Sequence, residues 1–333
     1  RRHTRSLVPS RGLGDVYKRQ DLVIATFGRS FWILDDISPL RQWDEKYRGQ
    51  TSHLFKPRTH TRLGINWWAL YGGGVGGGQK NYFVQNGRMG HTFYESGIVN
   101  GERKRKFLDA GGARPYGAII HYWLGEDAKD VSLSILDEND QLIKTYEGDM
   151  LSQEAGLNRM IWDMNYPDAI AVPGKPAPGI IVQAKVGTYK AKLAVNGKSQ
   201  KQTFELKMNP NEKYTAKDSA ARFELWWRLR SIFERSNREI IAAMELAKEA
   251  GEDSEIAKGA NAFSGKLVPQ GATLSEIANE PPKMLSKLTT VSSVLFHSEG
   301  PPSQSAYDVV NEMEKEIDAE IEAWKAFKAK HGK

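Results

Sequence analysis

The sequence predicts a mainly β protein that also contains a C-terminal helical region. Between residues 113 and 210, short alternations of apolar and polar residues are separated by turn residues every 8 to 12 positions, which is typical of an immunoglobulin-like β-sandwich. After Asn209-Pro210 the apolar spacing changes from two to about 3.6 residues, which is typical of helices. We therefore expect a sandwich over residues 113–210 and an antiparallel helical bundle over residues 211–333.

The clearest predicted strand pair lies at residues 189–208. Apolar residues alternate up to Asn196-Gly197, the residue pair favoured in type I′ hairpin turns, and alternate again on the return. An earlier hairpin is predicted around a turn at residues 137–140. The strands expected in the sandwich span residues 116–124, 131–135, 142–146, 157–164, 189–195 and 204–208.

Three long helices are expected to form the bundle. The first has a candidate cap at Asp218, and Thr273 with Glu276 forms a capping-box pattern that predicts an additional short helix. No helix is predicted in the polar, glycine-containing stretch 251–272. The long helices are expected over residues 218–251, 283–296 and 303–330.

Composition limits the classes of protein to which the chain can belong. Its 333 residues are 40% hydrophobic and 26% charged, which suits a globular protein of two or three domains. Because cysteine is absent, disulfides, zinc–thiolate sites and thiol nucleophiles are excluded. No apolar run approaches the roughly 20 residues that a membrane-spanning helix needs. We therefore expect no membrane span and no cofactor.

Most of the net charge of +6 lies in the first twenty residues. Residues 1–20 hold five arginines, one lysine and one aspartate, whereas residues 21–333 hold 41 basic and 40 acidic residues. The charge therefore does not predict nucleic-acid binding. The stretch SLVPSRGLGDVYKRQ lacks apolar periodicity and resembles translated sequencing-adapter sequence, so residues 1–20 are expected to be a non-native leader. A native, disordered basic arm is the alternative.

Two short apolar runs follow the leader. Residues 21–42 are expected to form a hairpin, and a lone hairpin is marginal in water, so it requires a partner on which to dock. Residues 43–112 are expected to be an irregular connector with short strands, because they are too aromatic for a disordered linker.

A family resemblance is carried by several segments. DLVIATFGRSFWILDDISPLRQ, at residues 21–42, resembles the last blade strands of the bacterial sortilin-like, BNR-repeat β-propeller proteins, often labelled glycosyl hydrolases. PYGAIIHYWL, AGLNRMIWDM and GTYKAKLAVNGKSQKQTFELKMNPN are similar to the Ig-like sandwich after that propeller, itself similar to the flagellar hook-capping Ig fold. The resemblance implies that this chain is the C-terminal region of such a protein, with most of the propeller upstream and a periplasmic or extracellular location.

No catalytic residue is predicted. Asp35 and Asp36, together with Asp163, could supply the paired carboxylates of a glycosidase, but nothing in the sequence brings them together. A turn-forming role at a strand end is more common for such aspartates. The Asp-box pattern of BNR repeats, S-x-D-x-G-x-x-W, does not occur, so the resemblance transfers no catalytic residue.

Trp67 and Trp68 are the candidate ligand contacts. They lie beside a glycine-rich run, where their aromatic faces could stack on sugar rings, and packing between domains is the alternative. Trp226 and Trp227 fall on the apolar stripe of a predicted helix, which favours a core position. The histidines show no metal-ligand spacing, so no metal site is predicted.

The predicted function is structural, because every strong pattern specifies packing and none specifies chemistry. The sandwich and the bundle are expected to be accessory modules that brace the upstream propeller and that contact a glycan or protein ligand. One alternative is a glycoside hydrolase whose catalytic residues lie in the propeller. Another is a sandwich that binds carbohydrate or protein in its own right.

Overall fold

The computed structural model describes residues 21–25, 31–62, 93–99, 102–107, 117–211, 213–271, 280–298 and 300–331. The fold is mixed: among the residues that the structure describes, more lie in helices than in strands, although the sequence predicts a mainly β chain. The expected order, sheets followed by a C-terminal helical region, is confirmed. Residues 1–20, Trp67, Trp68 and the capping pattern at Thr273 lie outside the described residues, so the expectations for them stay predictions.

Strands and helices are numbered here in chain order. The strands are β1 (Leu22–Ala25), β2 (Phe31–Leu34), β3 (Ser52–Leu54), β4 (His60–Arg62), β5 (Phe93–Val99), β6 (Glu102–Phe107), β7 (Ala118–Leu124), β8 (Val131–Leu136), β9 (Leu142–Glu147), β10 (Gly156–Trp162), β11 (Gly187–Val195) and β12 (Lys198–Met208). The helices are α1 (Ser38–Gln42), α2 (Ala216–Ala250), α3 (Glu255–Leu267), α4 (Met284–His297) and α5 (Gln304–His331).

Two sheets form the β unit, and their inner faces share one hydrophobic core. The strand orders are β10-β7-β3 and β4-β12-β11-β8-β9; the pairing of β4 with β12 is parallel and the others are antiparallel. Alternate residues of β11, including Tyr189, point into this core because successive side chains of a strand face opposite sides. Trp162 of β10 joins the sheets, with its ring centroid 5.1 Å from Tyr189 and 6.1 Å from Phe204.

The hairpin between β11 and β12 confirms the predicted turn. Asn196 and Gly197 have φ angles of 48° and 79°. Positive φ at both central residues is the requirement of a type I′ turn, whose twist matches that of the flanking strands. The predicted hairpin of β8 and β9 is also confirmed by their antiparallel pairing.

Glutamine side chains tie the two sheets together at one edge. The side chain of Gln200 on β12 accepts a hydrogen bond from the Leu54 N–H at 2.8 Å and donates to the Ser52 carbonyl at 2.9 Å. Gln202 donates to the Leu54 carbonyl at 3.2 Å. Since Leu54 is fully buried, these amides satisfy backbone groups that water does not reach.

A second hydrophobic core holds the helical region together. Helix α2 begins with a capping box in which the Thr215 hydroxyl accepts from the Asp218 N–H at 3.2 Å and the Asp218 carboxylate accepts from the Thr215 N–H at 2.8 Å. Thr215 is therefore the N-cap residue, and Asp218, the predicted cap, is its partner in the capping box. Buried residues from all four long helices form the core, including Trp226, Leu229, Phe263, Leu288, Ile317 and Trp324.

Helix α3 is not predicted by the sequence. Gly259 and Gly265 lower its helix propensity. In the structure, Gly259 allows α3 to approach α5, because a Cβ atom there would lie 2.2 Å from Phe327 Cε1. Phe263 stacks on Trp324 of α5, with ring centroids 5.5 Å apart. Tertiary packing therefore outweighs the local preference of glycine against helix.

The segment between β10 and β11 belongs to both cores. Ile180 and Val182 are fully buried in the helical core, whereas Ala184 is fully buried in the β core. Tyr166 is partly buried and packs against both. The chain therefore crosses from one unit to the other within a few residues.

Buried arginines complete the junction, which we call the polar seam (Arg62, Gln183, Ser219 and Arg222). Arg222, only 1% exposed, donates to Gln183 Oε1 at 2.8 Å and to backbone carbonyls at the end of α4. Arg62 donates to the Ala184 carbonyl at 2.7 Å and to Ser219 Oγ at 3.2 Å. These bonds link β4, α2 and α4 across the boundary between the units.

Two further hairpins, β1–β2 and β5–β6, form two-stranded sheets of their own. Among the helices that the structure describes, none combines the length and the apolar character needed to cross a membrane.

We predict that Gln200→Leu lowers the free energy of unfolding by about 1–3 kcal/mol, because the buried Leu54 N–H would lose its acceptor. Urea denaturation measures this difference. The control Gln141→Leu, at an exposed turn position, is expected to change it by less than about 0.5 kcal/mol. Equal losses in the two variants would contradict the role of the Gln200 amide.

Candidate functional site

Asp35, Asp36 and Asp163 are the carboxylates considered for a glycosidase pair. Asp35 is partly buried beside Asp36 in the chain, and Asp36 and Asp163 have different partners. Asp36 is only 3% exposed, whereas Asp163 is partly exposed, with Oδ2 3.7 Å from Lys144 Nζ on β9. Asp36 faces Arg58 and His121, whereas Asp163 faces Lys144. The site that the structure does assemble is centred on Asp36.

We call Asp21, Asp36, Arg58 and His121 the anchor cluster. Asp36 Oδ2 lies 3.8 Å from Arg58 Nε and 3.8 Å from His121 Nδ1. Asp36 Oδ1 accepts from the Ser38 N–H at 3.1 Å, and the Asp36 N–H donates to Asp21 Oδ1 at 2.8 Å. Arg58 also lies 3.9 Å from Asp21 Oδ1. One guanidinium thus faces two carboxylates.

The cluster lies at the base of the β1–β2 hairpin. Asp21 directly precedes β1, and Asp36 follows β2 by two residues. Asp36 adopts a left-handed backbone, with φ of 57°, which aspartate tolerates better than most non-glycine residues. This conformation turns the chain at the end of β2 and places the carboxylate against Arg58 and His121. Both ends of the hairpin are therefore fixed to the β unit.

Two buried histidines border the cluster. Burial lowers the pKa of His60 to about 4, although the charge of Asp36 and a hydrogen bond with the Ile119 backbone oppose this shift. Burial likewise lowers the pKa of His121 to about 4; Asp36 opposes the shift and Arg159 adds to it. Both rings are therefore neutral at pH 7. Asp36 faces one permanent cation and one neutral ring, which suits an anchor for the hairpin.

The described residues contain no group of three or more histidine, cysteine or acidic side chains placed to hold a metal ion. The sequence reveals little of the anchor cluster, because His121 and Arg58 are distant from Asp36 in the chain. The sequence does show Asp35 and Asp36 at the end of a predicted strand, and this pair is the available signal for the cluster.

A cleft of about 710 Å³ adjoins the cluster, and its lining includes Arg41, Lys56 and Arg58. Its wall is held by Gln42, whose amide donates to the Lys56 carbonyl at 3.0 Å and accepts from the Lys56 N–H at 3.0 Å. Glu205 is the acidic residue among the described lining residues. This excess of positive charge would favour an anionic group.

An aromatic surface lies on the neighbouring edge of the three-stranded sheet. Tyr47 stacks on His53 with ring centroids 3.8 Å apart, and Trp43 meets Trp123 edge to face at 5.0 Å. Phe55 is buried beneath them, whereas the other four are partly exposed. This surface could not be predicted from the sequence, because its residues come from separate segments.

The tryptophan pair on α2 is divided between core and surface. Trp226 is buried, and its indole N–H donates to Ser292 Oγ at 2.9 Å, as expected for a core tryptophan. Trp227 is 39% exposed and stacks on Phe223, so the prediction of a core position is wrong for this residue. The apolar stripe of α2 is therefore covered only in part.

We predict that the protein loses stability as the pH falls from about 6.5 towards 4. The unfolded chain binds protons at its histidines in this range, whereas burial keeps His60 and His121 neutral in the folded state. Each histidine is expected to contribute a slope of about 1.4 kcal/mol per pH unit. Urea unfolding at several pH values measures this slope.

The variant His60→Gln isolates one of these contributions. It should flatten the dependence by about 1.4 kcal/mol per pH unit, because one titrating group is removed. Gln141→Leu, at an exposed position, removes no histidine; it is the control and should leave the slope unchanged. A slope in His60→Gln equal to that of the unaltered chain would refute the assignment.

Comparisons with known proteins add little to this geometry. No family model and no curated protein matches the chain. Among solved structures, CopC from Methylosinus trichosporium OB3b is similar at 17% identity over 28% of this chain and 79% of its own, with a TM-score of 0.19. A TM-score of this size carries no argument about fold or function.

Proposed function

We propose that the two-sheet unit is an immunoglobulin-like sandwich and that, together with the helical region, it is a non-catalytic accessory module that braces a β-propeller. In this proposal β1 and β2 are the last strands of the propeller. A periplasmic or extracellular location follows from the family resemblance alone. A glycan or protein ligand is also proposed on that basis, with Trp67 and Trp68 as candidate contacts.

The observation that carries the proposal is the exposure of the β1–β2 hairpin. Val23 and Ile33 are cross-strand partners, and each is 58% exposed. Leu22 and Leu34, the neighbouring pair, are 44% and 50% exposed. Because adjacent residues of a strand point to opposite faces, the hairpin presents apolar side chains on both faces.

Because apolar side chains are exposed on both faces of the hairpin, the proposed partner is one that covers both faces. A strand covered on one face alternates apolar and polar residues, whereas a strand covered on both faces is a continuous apolar run. The runs LVIA and FWIL are continuous. A propeller blade is a sheet that neighbouring blades flank around a central channel, so its inner strands match this pattern.

The anchor cluster explains how such a blade would be held. Asp21 and Asp36 fix the two ends of the hairpin against Arg58 and His121. A buried ionic contact of this kind specifies position more than it adds stability. The proposed role of the sandwich is therefore to orient the last blade.

We predict that Val23→Lys and Ile33→Lys hardly change the stability of the present chain but destabilise a longer protein that contains the proposed propeller. In the present chain both side chains are exposed, so each variant should change the free energy of unfolding by less than about 0.5 kcal/mol. In a longer protein that includes the coding sequence upstream of Asp21, each should destabilise by about 2–4 kcal/mol, because a buried apolar contact is lost.

Leu40→Lys on α1 is the control, since this leucine is 55% exposed and lies outside the hairpin. It should be neutral in both proteins. If the hairpin variants are also neutral in the longer protein, or if the upstream sequence encodes no repeated four-stranded blades, the propeller proposal fails.

We predict that the chain does not hydrolyse 4-methylumbelliferyl glycosides above the buffer rate, because Asp36 lies in the anchor cluster and Asp163 has a separate partner. Fluorescence release over a panel of sugars measures this. Hydrolysis abolished by Asp36→Asn, or by Asp163→Asn, would contradict the proposal that this chain is a non-catalytic module.

A further inference from the structure

The cleft of about 710 Å³ beside the anchor cluster lies between α1, the loop at residues 56–59 and the five-stranded sheet. Thr188 of β11 and Thr203 of β12 line it from the outer face of the sheet, because their neighbours Tyr189 and Phe204 belong to the core. This volume falls within the usual range for small-molecule sites, and binding there would be a role separate from the proposed brace.

The backbone on one side of the cleft is fixed. The Gln42 side chain bonds to both the N–H and the carbonyl of Lys56, each at 3.0 Å. Pro57 follows directly, is buried and fixes its own φ angle. The side chain of Lys56 stays exposed, and within the described part of the chain it forms no ion pair. Its ammonium group is therefore available, on a backbone that is ordered before a ligand binds.

Positive charge prevails among the lining residues. Arg41, Lys56 and Arg58 are basic, and Glu205 is acidic. Arg58 already faces the two carboxylates of the anchor cluster, and Glu205 Oε2 lies 3.3 Å from Lys207 Nζ. The excess charge therefore comes from Arg41 and Lys56, both exposed. A ligand with a negative charge would be attracted here, and a cation would be repelled.

Hydroxyl groups supply the other polar contacts. Ser38, Thr59, Thr188 and Thr203 line the cleft, and the three threonines are exposed. Their hydroxyls have no protein partner among the described residues. Because a hydroxyl both donates and accepts hydrogen bonds, several of them suit a ligand that itself carries hydroxyl groups. A purely apolar ligand would displace their water without replacing its hydrogen bonds.

We propose that this cleft binds a small molecule that carries hydroxyl groups and one oxyanion, a carboxylate or a phosphate, as an acidic or phosphorylated sugar does. The oxyanion contacts Lys56 and Arg41, and the threonines on the sheet bond to the hydroxyl groups. Charge-assisted hydrogen bonds of this kind are stronger than those between neutral groups, so the oxyanion supplies most of the affinity.

The test is calorimetric titration of the chain with D-glucuronate and with D-glucose 6-phosphate. At least one of the two should bind saturably at one site, and the tighter of them identifies the oxyanion as carboxylate or phosphate. D-Glucose lacks the charge and inorganic phosphate lacks the hydroxylated ring. Each should therefore bind about fivefold or more weakly than the tighter probe.

Matched variants locate the site. At an ionic strength of about 0.15 M, exposed charges more than about 8 Å apart are largely screened. Lys56→Gln should weaken binding of the tighter probe by about threefold or more. Lys129→Gln, at an exposed position outside the cleft, is its control and should not. Thr203→Val should also weaken binding by about threefold, whereas Thr51→Val, likewise exposed and outside the cleft, should have no effect.

A third variant should raise the affinity. Glu205→Gln removes the carboxylate from the described lining and leaves Lys207 without its partner, so binding of the tighter probe should strengthen by about twofold or more. Glu126→Gln, at an exposed position outside the cleft, is the control and should leave the affinity unchanged. A gain of affinity cannot result from damage to the fold.

The proposal is overturned if neither acidic sugar binds saturably, or if D-glucose binds as tightly as its 6-phosphate and as D-glucuronate. Equal effects of Lys56→Gln and Lys129→Gln would show that the anion binds outside this cleft. All of these measurements use the present chain without any upstream sequence. Their failure would therefore leave the proposed brace untouched, and failure of the brace would leave them untouched.

Discussion

The polar seam is the constraint on which the arrangement of the two units depends. A guanidinium group has five N–H donors and is costly to bury unless acceptors surround it. Arg222 finds those acceptors only where Gln183, α2 and the end of α4 meet. Arg62 on β4 is buried too, and its acceptors are the Ala184 carbonyl and Ser219 Oγ. Apolar packing holds each unit together, whereas directional bonds at the seam specify how the units meet.

Local sequence signals were sufficient for the parts of the fold that local physics determines. The type I′ turn at Asn196-Gly197 and the alternation along β11 are examples, because each depends on neighbouring residues. Strands β3 and β4 are three residues long and exist through pairing with β7 and β12. Helix α3 depends on the contact of Gly259 with Phe327. Such elements have little signal of their own.

The candidate sites were harder to predict, because each joins residues that are distant in the chain. Asp36 could be recognised as a residue at a strand end, but its contacts with Arg58 and His121 arise from the tertiary fold.

The parallel pairing of β4 with β12 has a consequence for folding during synthesis. Leu54 on β3, the strand before β4, is hydrogen-bonded to Gln200 on β12 although the two residues are 146 positions apart. At typical translation rates roughly 7–30 s pass between the synthesis of one and the other. Throughout that interval β3 and β4 lack the β12 edge, and contacts of such long range form slowly. Nascent chains of this protein would therefore expose an open sheet edge, which is where chaperones and mispairing would compete.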